Sequence, residues 1–220
     1  MHMRIVLINS ILGVAVGCAA FGVCVAAASD GAGFEPPPNR AGQSAWIPLR
    51  HQRQEPNLCV PTSASIILDY FGDSISPREI KALALNKRYA PGDDFTDFSI
   101  TFFRDLIAGL ARRGYAWREK TYPNNSRGLK RGLVEIERYL DARIPVMIDT
   151  TVSEGHTLVV AGYSIPNQTL LAVDPGEPFP GIRAVGFVEL DGIWNSRAVG
   201  SNERAAVFPR RQQVQARNGR

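Results

Sequence analysis

Cysteine is scarce in this chain. Only Cys18, Cys24 and Cys59 occur in 220 residues. The first two lie inside one apolar N-terminal stretch, so the rest of the chain has no pair from which to build a disulfide framework. An excess of one charge sign is also missing: 25 Lys and Arg stand against 21 Asp and Glu, a formal net charge of +4. The arginines are scattered, as at Arg112-Arg113 and Arg210-Arg211, with no basic run interleaved with aromatics. That argues against nucleic-acid binding. There are no internal repeats. What remains is ordinary globular composition, 45% hydrophobic and 21% charged, enough for one well-filled core.

Residues 1–28 stand apart. Arg4 is their only Lys or Arg, they hold no acid, and Ile5 to Ala28 is almost wholly apolar or small. Val25-Ala26-Ala27-Ala28 ahead of Ser29-Asp30 offers small residues at the positions a signal peptidase reads. The expectation is a signal peptide cut after Ala28 and an exported chain, periplasmic or extracellular. An uncleaved anchor is the alternative, because a run of this length can span a bilayer; the membrane would then be met only through this segment. A lipoprotein signal ending at Gly17-Cys18 fits less well, since another apolar run, Ala19 to Ala28, would follow it. Cleavage leaves Cys59 alone. A lone thiol in an oxidising compartment is a liability unless the thiol itself is used.

Residues 29–45, with Pro36-Pro37-Pro38 and several Gly and Ser, read as a flexible lead-in. Ala45 to Leu49 suits a short strand. After the polar stretch His51 to Asn57 comes Cys59, and Ile66, Ile67, Tyr70 and Phe71 recur at the spacing of one helix face that Gly72 ends. Pro61 fits the first helical turn. Cys59 therefore falls at a helix N-terminus, where unpaired N–H groups and the dipole favour a thiolate; a small buried hydrophobe is the plainer role. Ser76-Pro77-Arg78-Glu79 spells a capping box for a helix to about Lys87. Further helices are expected over 99–113 and 129–142, with an extended stretch over 115–122. Strands are expected over 144–149, 157–163, 170–173 and 184–190. Helices first and antiparallel strands later indicate an α+β domain over residues 46–208. From Pro209 on, the chain is a polar, basic tail expected to be disordered.

A cysteine nucleophile needs a base in reach and a group to orient that base. Beyond residue 28 only His51 and His156 are available. His156 follows Gly155 at the mouth of a strand. Asp174, in Val173-Asp174-Pro175, ends the strand that should pair with it through a turn at Pro166-Asn167. Such a hairpin puts both side chains at one edge of the sheet, the acid holding one imidazole nitrogen while the other faces a thiol. Taken singly, an Asp-Pro is a turn initiator and a His after Gly a surface residue.

Cys59-Val60-Pro61-Thr62-Ser63, Asp69-Tyr70-Phe71-Gly72, Gly155-His156 with Val159-Val160-Ala161-Gly162-Tyr163, Asp174-Pro175 and Ile144-Pro145-Val146-Met147 together resemble the papain-like C39 cysteine peptidase family, in its stand-alone C39-like form. The likeness covers roughly residues 46–190. It implies a papain-like fold, an N-terminal helical part packed on a C-terminal antiparallel sheet, and a hydrolase acting on a peptide or protein substrate with no metal or organic cofactor. It carries catalytic roles to Cys59, His156 and Asp174. It also implies an oxyanion glutamine six places before the cysteine, where this chain has Arg53; Gln54, five before, is preferred and Gln52, seven before, stays open. Val60 replaces the family's usual glycine. Two other readings remain: a γ-glutamyl transferase resembling the bacterial relatives of phytochelatin synthase, and a catalytically silent papain-like binding module. Oligomeric state is not readable.

Overall fold

The computed structural model describes residues 43–95, 100–197 and 200–210. The expected signal at 1–28, most of the lead-in and the tail beyond Arg210 lie outside the described residues. In chain order the elements are β1 (Ser44–Trp46), α1 (Cys59–Tyr70), α2 (Pro77–Ala84), α3 (Phe103–Ala111), β2 (Arg118–Pro123), α4 (Ser126–Asp141), β3 (Val146–Thr150), β4 (His156–Ser164), β5 (Thr169–Val173), β6 (Ile182–Gly186), α5 (Phe187–Ile193) and β7 (Glu203–Phe208). Among the described residues seven strands form one sheet in the order β2-β7-β3-β4-β5-β6, with β1 also paired to β4. Every pairing is antiparallel.

The sheet is covered on both faces. Ile66, Ile67 and Leu68 of α1, Ile80 of α2 and Leu106 and Leu110 of α3 pack with Met147, Val159, Ala161, Val173 and Val207. On the other face Leu129, Leu133, Ile136 and Leu140 of α4 meet Val146, Ile148, Leu158, Val160 and Phe208. Each such aliphatic side chain contributes roughly 1.5–3 kcal/mol on burial. The expected helical part on an antiparallel sheet is present, with α4 on the face opposite α1.

Helix ends follow local chemistry. Ser76 Oγ accepts the Glu79 N–H at 3.2 Å, as the capping box requires. α2 stops at Ala84 rather than near Lys87: Asn86 takes a left-handed φ of 55°, and Lys87 N–H returns to Ala82 O at 2.8 Å, a helix-ending bond. α4 starts three residues ahead of the expectation because Asn125 Oδ1 accepts from Gly128 N–H at 2.9 Å.

Two strand expectations need correction. Residues 184–190 are not one strand: β6 ends at Gly186 and α5 follows. The reason lies in the register, since Gly186 pairs with Thr169, the first residue of β5, and no partner remains beyond it. Phe187 and Leu190, three apart, instead turn one helical face into the core. β7 was not expected at all, yet it runs between β2 and β3. Its residues Arg204 to Phe208 are all buried, so no alternation marks it as a strand.

Candidate active site

α1 begins at Cys59 itself. The Asn57-Leu58 entry, left-handed at Asn57 (φ 61°), leads into the first helical bond, Thr62 N–H to Leu58 O at 2.8 Å. No side chain caps this N-terminus and no acid sits in its first turn. The backbone N–H groups around Cys59 are thus left to serve an incoming anion. Ser63 Oγ donates to Thr157 O at 3.4 Å, tying the first turn of α1 to the start of β4.

His156 opens β4 after a tight turn whose Ser153 (φ 48°), Glu154 (φ 65°) and Gly155 (φ 121°) are successively left-handed. For the two non-glycine residues that conformation is uncommon and held by the surrounding structure. Register pairs His156 with Thr150, and Thr150 Oγ1 donates to His156 O at 2.9 Å. One strand over, Val173 pairs with Val159, so Asp174 emerges beside the β4 start. His156 Nε2 meets Asp174 Oδ1 at 2.6 Å, and Gly176 N–H donates to the same oxygen at 2.8 Å. The ring is also hydrogen-bonded to the Cys59 thiol; with Nε2 on Asp174, Nδ1 is the nitrogen left for sulfur. Three residues far apart in sequence are thus in one line, as the hairpin reading expected.

The charges are set by this contact. Burial works against the imidazolium, but the hydrogen bonds to Asp174 and Cys59 and the electrostatic pull of both push His156 up to about 9. Burial likewise opposes a charged Asp174, and His156 with the Gly176 N–H outweighs it, holding that carboxyl below its ordinary value. At neutral pH the ring is therefore a cation beside the Asp174 carboxylate.

The line of residues borders a cleft of about 440 Å³, lined by Gln54, Cys59, Val60, Asp149, His156 and Ser196 among others. Gln54 Oε1 is buried there with no hydrogen-bond partner. Gln52, by contrast, accepts from Ser65 Oγ at 3.0 Å and is tied to α1, while Arg53 is exposed. Of the two glutamines left open by sequence, Gln54 lines the cleft with the thiol. Val60 is buried in the wall where the family pattern has glycine.

Sequence reasoning passed over Asp149. It is the penultimate residue of β3 and lines the cleft, and burial pushes its carboxyl up to about 6 against a hydrogen bond from the Thr150 backbone. An acid beside the end of an apolar strand was the available signal. Glu203 and Ala205 also line the cleft but belong to β7, which no periodicity announced. Among the described residues no three His, Cys, Asp or Glu side chains converge as a metal-ligand set.

A thiol at a helix start, aligned across a cleft with a His–Asp pair from an antiparallel sheet, is the arrangement of the papain-like peptidase fold. More narrowly, this chain belongs to the Peptidase_C39 like family, whose model matches residues 45–198. Its structure is similar to that of the peptidase domain of Streptococcus ComA, a bi-functional ABC transporter of a quorum-sensing pathway: TM-score 0.53 and 16% identity over 74% of this chain and 98% of that one. It is also similar to a double-glycine motif protease from an AMS/PCAT transporter, solved in complex with the leader peptide: TM-score 0.50 and 12% identity over 75% of this chain and 94% of that one. At such identities the likeness carries the fold. No curated protein matches the chain.

Proposed function

We propose that this protein is a cysteine hydrolase that cleaves amide or peptide bonds, exported once residues 1–28 are removed. The observation that carries the reading is the 2.6 Å His156–Asp174 bond with the Cys59 thiol on the other side of the same ring. Cys59 Sγ, as thiolate, attacks the substrate carbonyl carbon, and the carbonyl π pair moves onto oxygen. The Cys59 backbone N–H and the Gln54 side-chain amide donate to that oxyanion. As the C–N bond breaks, His156 gives its proton to the leaving amine and a thioester remains on Cys59. Water then attacks the thioester carbon and passes a proton to His156. The C–S bond breaks, the acid leaves, and the thiolate again faces an imidazolium. Asp174 keeps the ring oriented and stabilises its charge throughout. A peptide is the first substrate class to try, since a leader peptide occupies the double-glycine protease of similar fold.

The test is labelling by an epoxide warhead, read by intact mass on wild type and Cys59→Ala. One adduct on wild type and none on the variant is expected. A native wild type that takes no label is a silent binding module instead. N-terminal sequencing of exported protein should begin near Ser29, whereas an intact Met1 indicates an anchor.

A further inference from the structure

His51 has no part in the mechanism above, yet it is built into the frame of the cleft. The strip 51–54 is fastened to the Asp174 loop at both ends. His51 Nε2 lies 3.1 Å from Asp174 O, and Gln54 N–H donates to Pro175 O at 2.8 Å. A carbonyl can only accept, so Nε2 carries a proton in either charge state of the ring. The ring rests on Gly181, where φ is +62° and a Cβ would fall 2.2 Å from His51 Cδ2. Only glycine leaves room for the imidazole there. Phe179 closes the ring's other approach edge-on, at 6.4 Å between centroids.

The Asp174 side chain does not depend on this bond. Its carboxylate is held by His156 and the Gly176 N–H, and its own N–H donates to Gly181 O at 2.7 Å. Between its two fastened ends the strip is tied only by Gln52 to Ser65, Arg53 is exposed, and the Gln54 side-chain oxygen has no partner. The His51 bond, together with the Gln54 N–H bond to Pro175 O, sets the distance between the Gln54 strip and the His–Asp pair. We propose that His51 is a positioning residue that sets Gln54 at the oxyanion position, an assignment that rests on the hydrolase reading.

Two reactions of Cys59 separate this role from general damage. Alkylation by iodoacetamide displaces iodide at an sp³ carbon and makes no oxyanion, so it reads the thiolate–imidazolium pair alone. Acylation by p-nitrophenyl acetate passes through a tetrahedral oxyanion and needs Gln54. In the full chain, His51→Leu should slow acylation by about 10- to 100-fold, the scale on which a displacement near 1 Å is felt. Its alkylation rate and pH profile should match wild type, which also reports a native fold. His51→Gln keeps a donor the same number of bonds from Cβ and should recover acylation to within about threefold. Gln54→Ala should lose about 10²–10³, and adding His51→Leu to it should cost nothing more, because the two act as one unit. Unchanged acylation in His51→Leu overturns the proposal, as does a His51→Leu loss that persists in the Gln54→Ala background. Loss of the alkylation profile overturns it too, by placing His51 behind His156. A wild type that is neither acylated nor alkylated without denaturant removes the hydrolase reading, and this role with it.

Discussion

Replacing Asp174 with Asn removes a charge but keeps an oxygen where Nε2 needs one, so it separates electrostatics from shape. In the native protein His156 is raised from its ordinary 6.5 to about 9. At about 1.4 kcal/mol per pH unit, this is about 3 kcal/mol in favour of the charged ring, net of a burial cost that acts the other way. Asp174 and Cys59 share the credit. Without the carboxylate the ring keeps only its contact with the sulfur, and its titration should fall by about one to two pH units. The imidazolium is the acid that expels the amine, so the alkaline limb of the pH–rate profile should move down with it from near 9. The turnover loss should be smaller than the ~10⁴ seen for this change in a serine triad, because a thiol nucleophile is more acidic than a hydroxyl and leans less on the third member. Stability should respond with opposite signs at the two ends. The contribution from His156, whose folded value is raised, is complete below about 6.5 and lost as pH rises through about 9. That from Asp174, whose folded value is depressed, is present above about 3.8 and lost as pH falls. Urea unfolding from pH 3 to 10, alongside the pH–rate profile and NMR titration of the His156 ring, reads both. An Asp174→Asn protein with an unmoved alkaline limb and unchanged pH dependence of stability would reduce Asp174 to a turn residue.

Two further changes test the frame around the site. Asp149 has its folded value pushed up to about 6 by burial, so the native state holds a proton there that the unfolded chain gives up near 4; its contribution falls as pH rises between those values. Asp149→Asn should therefore flatten that part of the stability–pH curve and stabilise the protein by about 1–3 kcal/mol at pH 8, measured by urea melts at pH 4, 6 and 8. Gly109→Ala would put a Cβ 2.6 Å from the Leu83 carbonyl carbon, forcing α2 and α3 apart at about 1–3 kcal/mol. Thermal unfolding should show that loss.

What was legible followed from periodicity and punctuation. The α1 face of Ile66, Ile67, Tyr70 and Phe71 and the stop at Gly72 placed the thiol at a helix start. The turn at Pro166-Asn167 placed His156 and Asp174 at one sheet edge. Other features depend on long-range pairing that local pattern does not record. β7 lies buried between β2 and β3, so Ala205, Ala206 and Val207 show no in-out alternation, and Glu203, which it brings to the cleft, was hidden with it. The end of β6 is set by where β5 begins, a fact of register, and so residues 187–190 resembled strand. The choice between Gln52 and Gln54 also needed three dimensions: a bond from Ser65 removes one, and an unpartnered oxygen in the cleft marks the other.

The central claim is that Cys59 is a nucleophile served by a charged His156, and alkylation of the native protein tests this most directly. Iodoacetamide is applied to native protein across pH 4–10, and the adduct on the Cys59 peptide is quantified by mass spectrometry so that Cys18 and Cys24 do not contribute. Alkylation of the native protein should be rapid. The rate should fall in His156→Ala, which removes the facing cation. A Cys59 that stays unlabelled until denaturant is added, or one that labels at a rate indifferent to His156, contradicts the account.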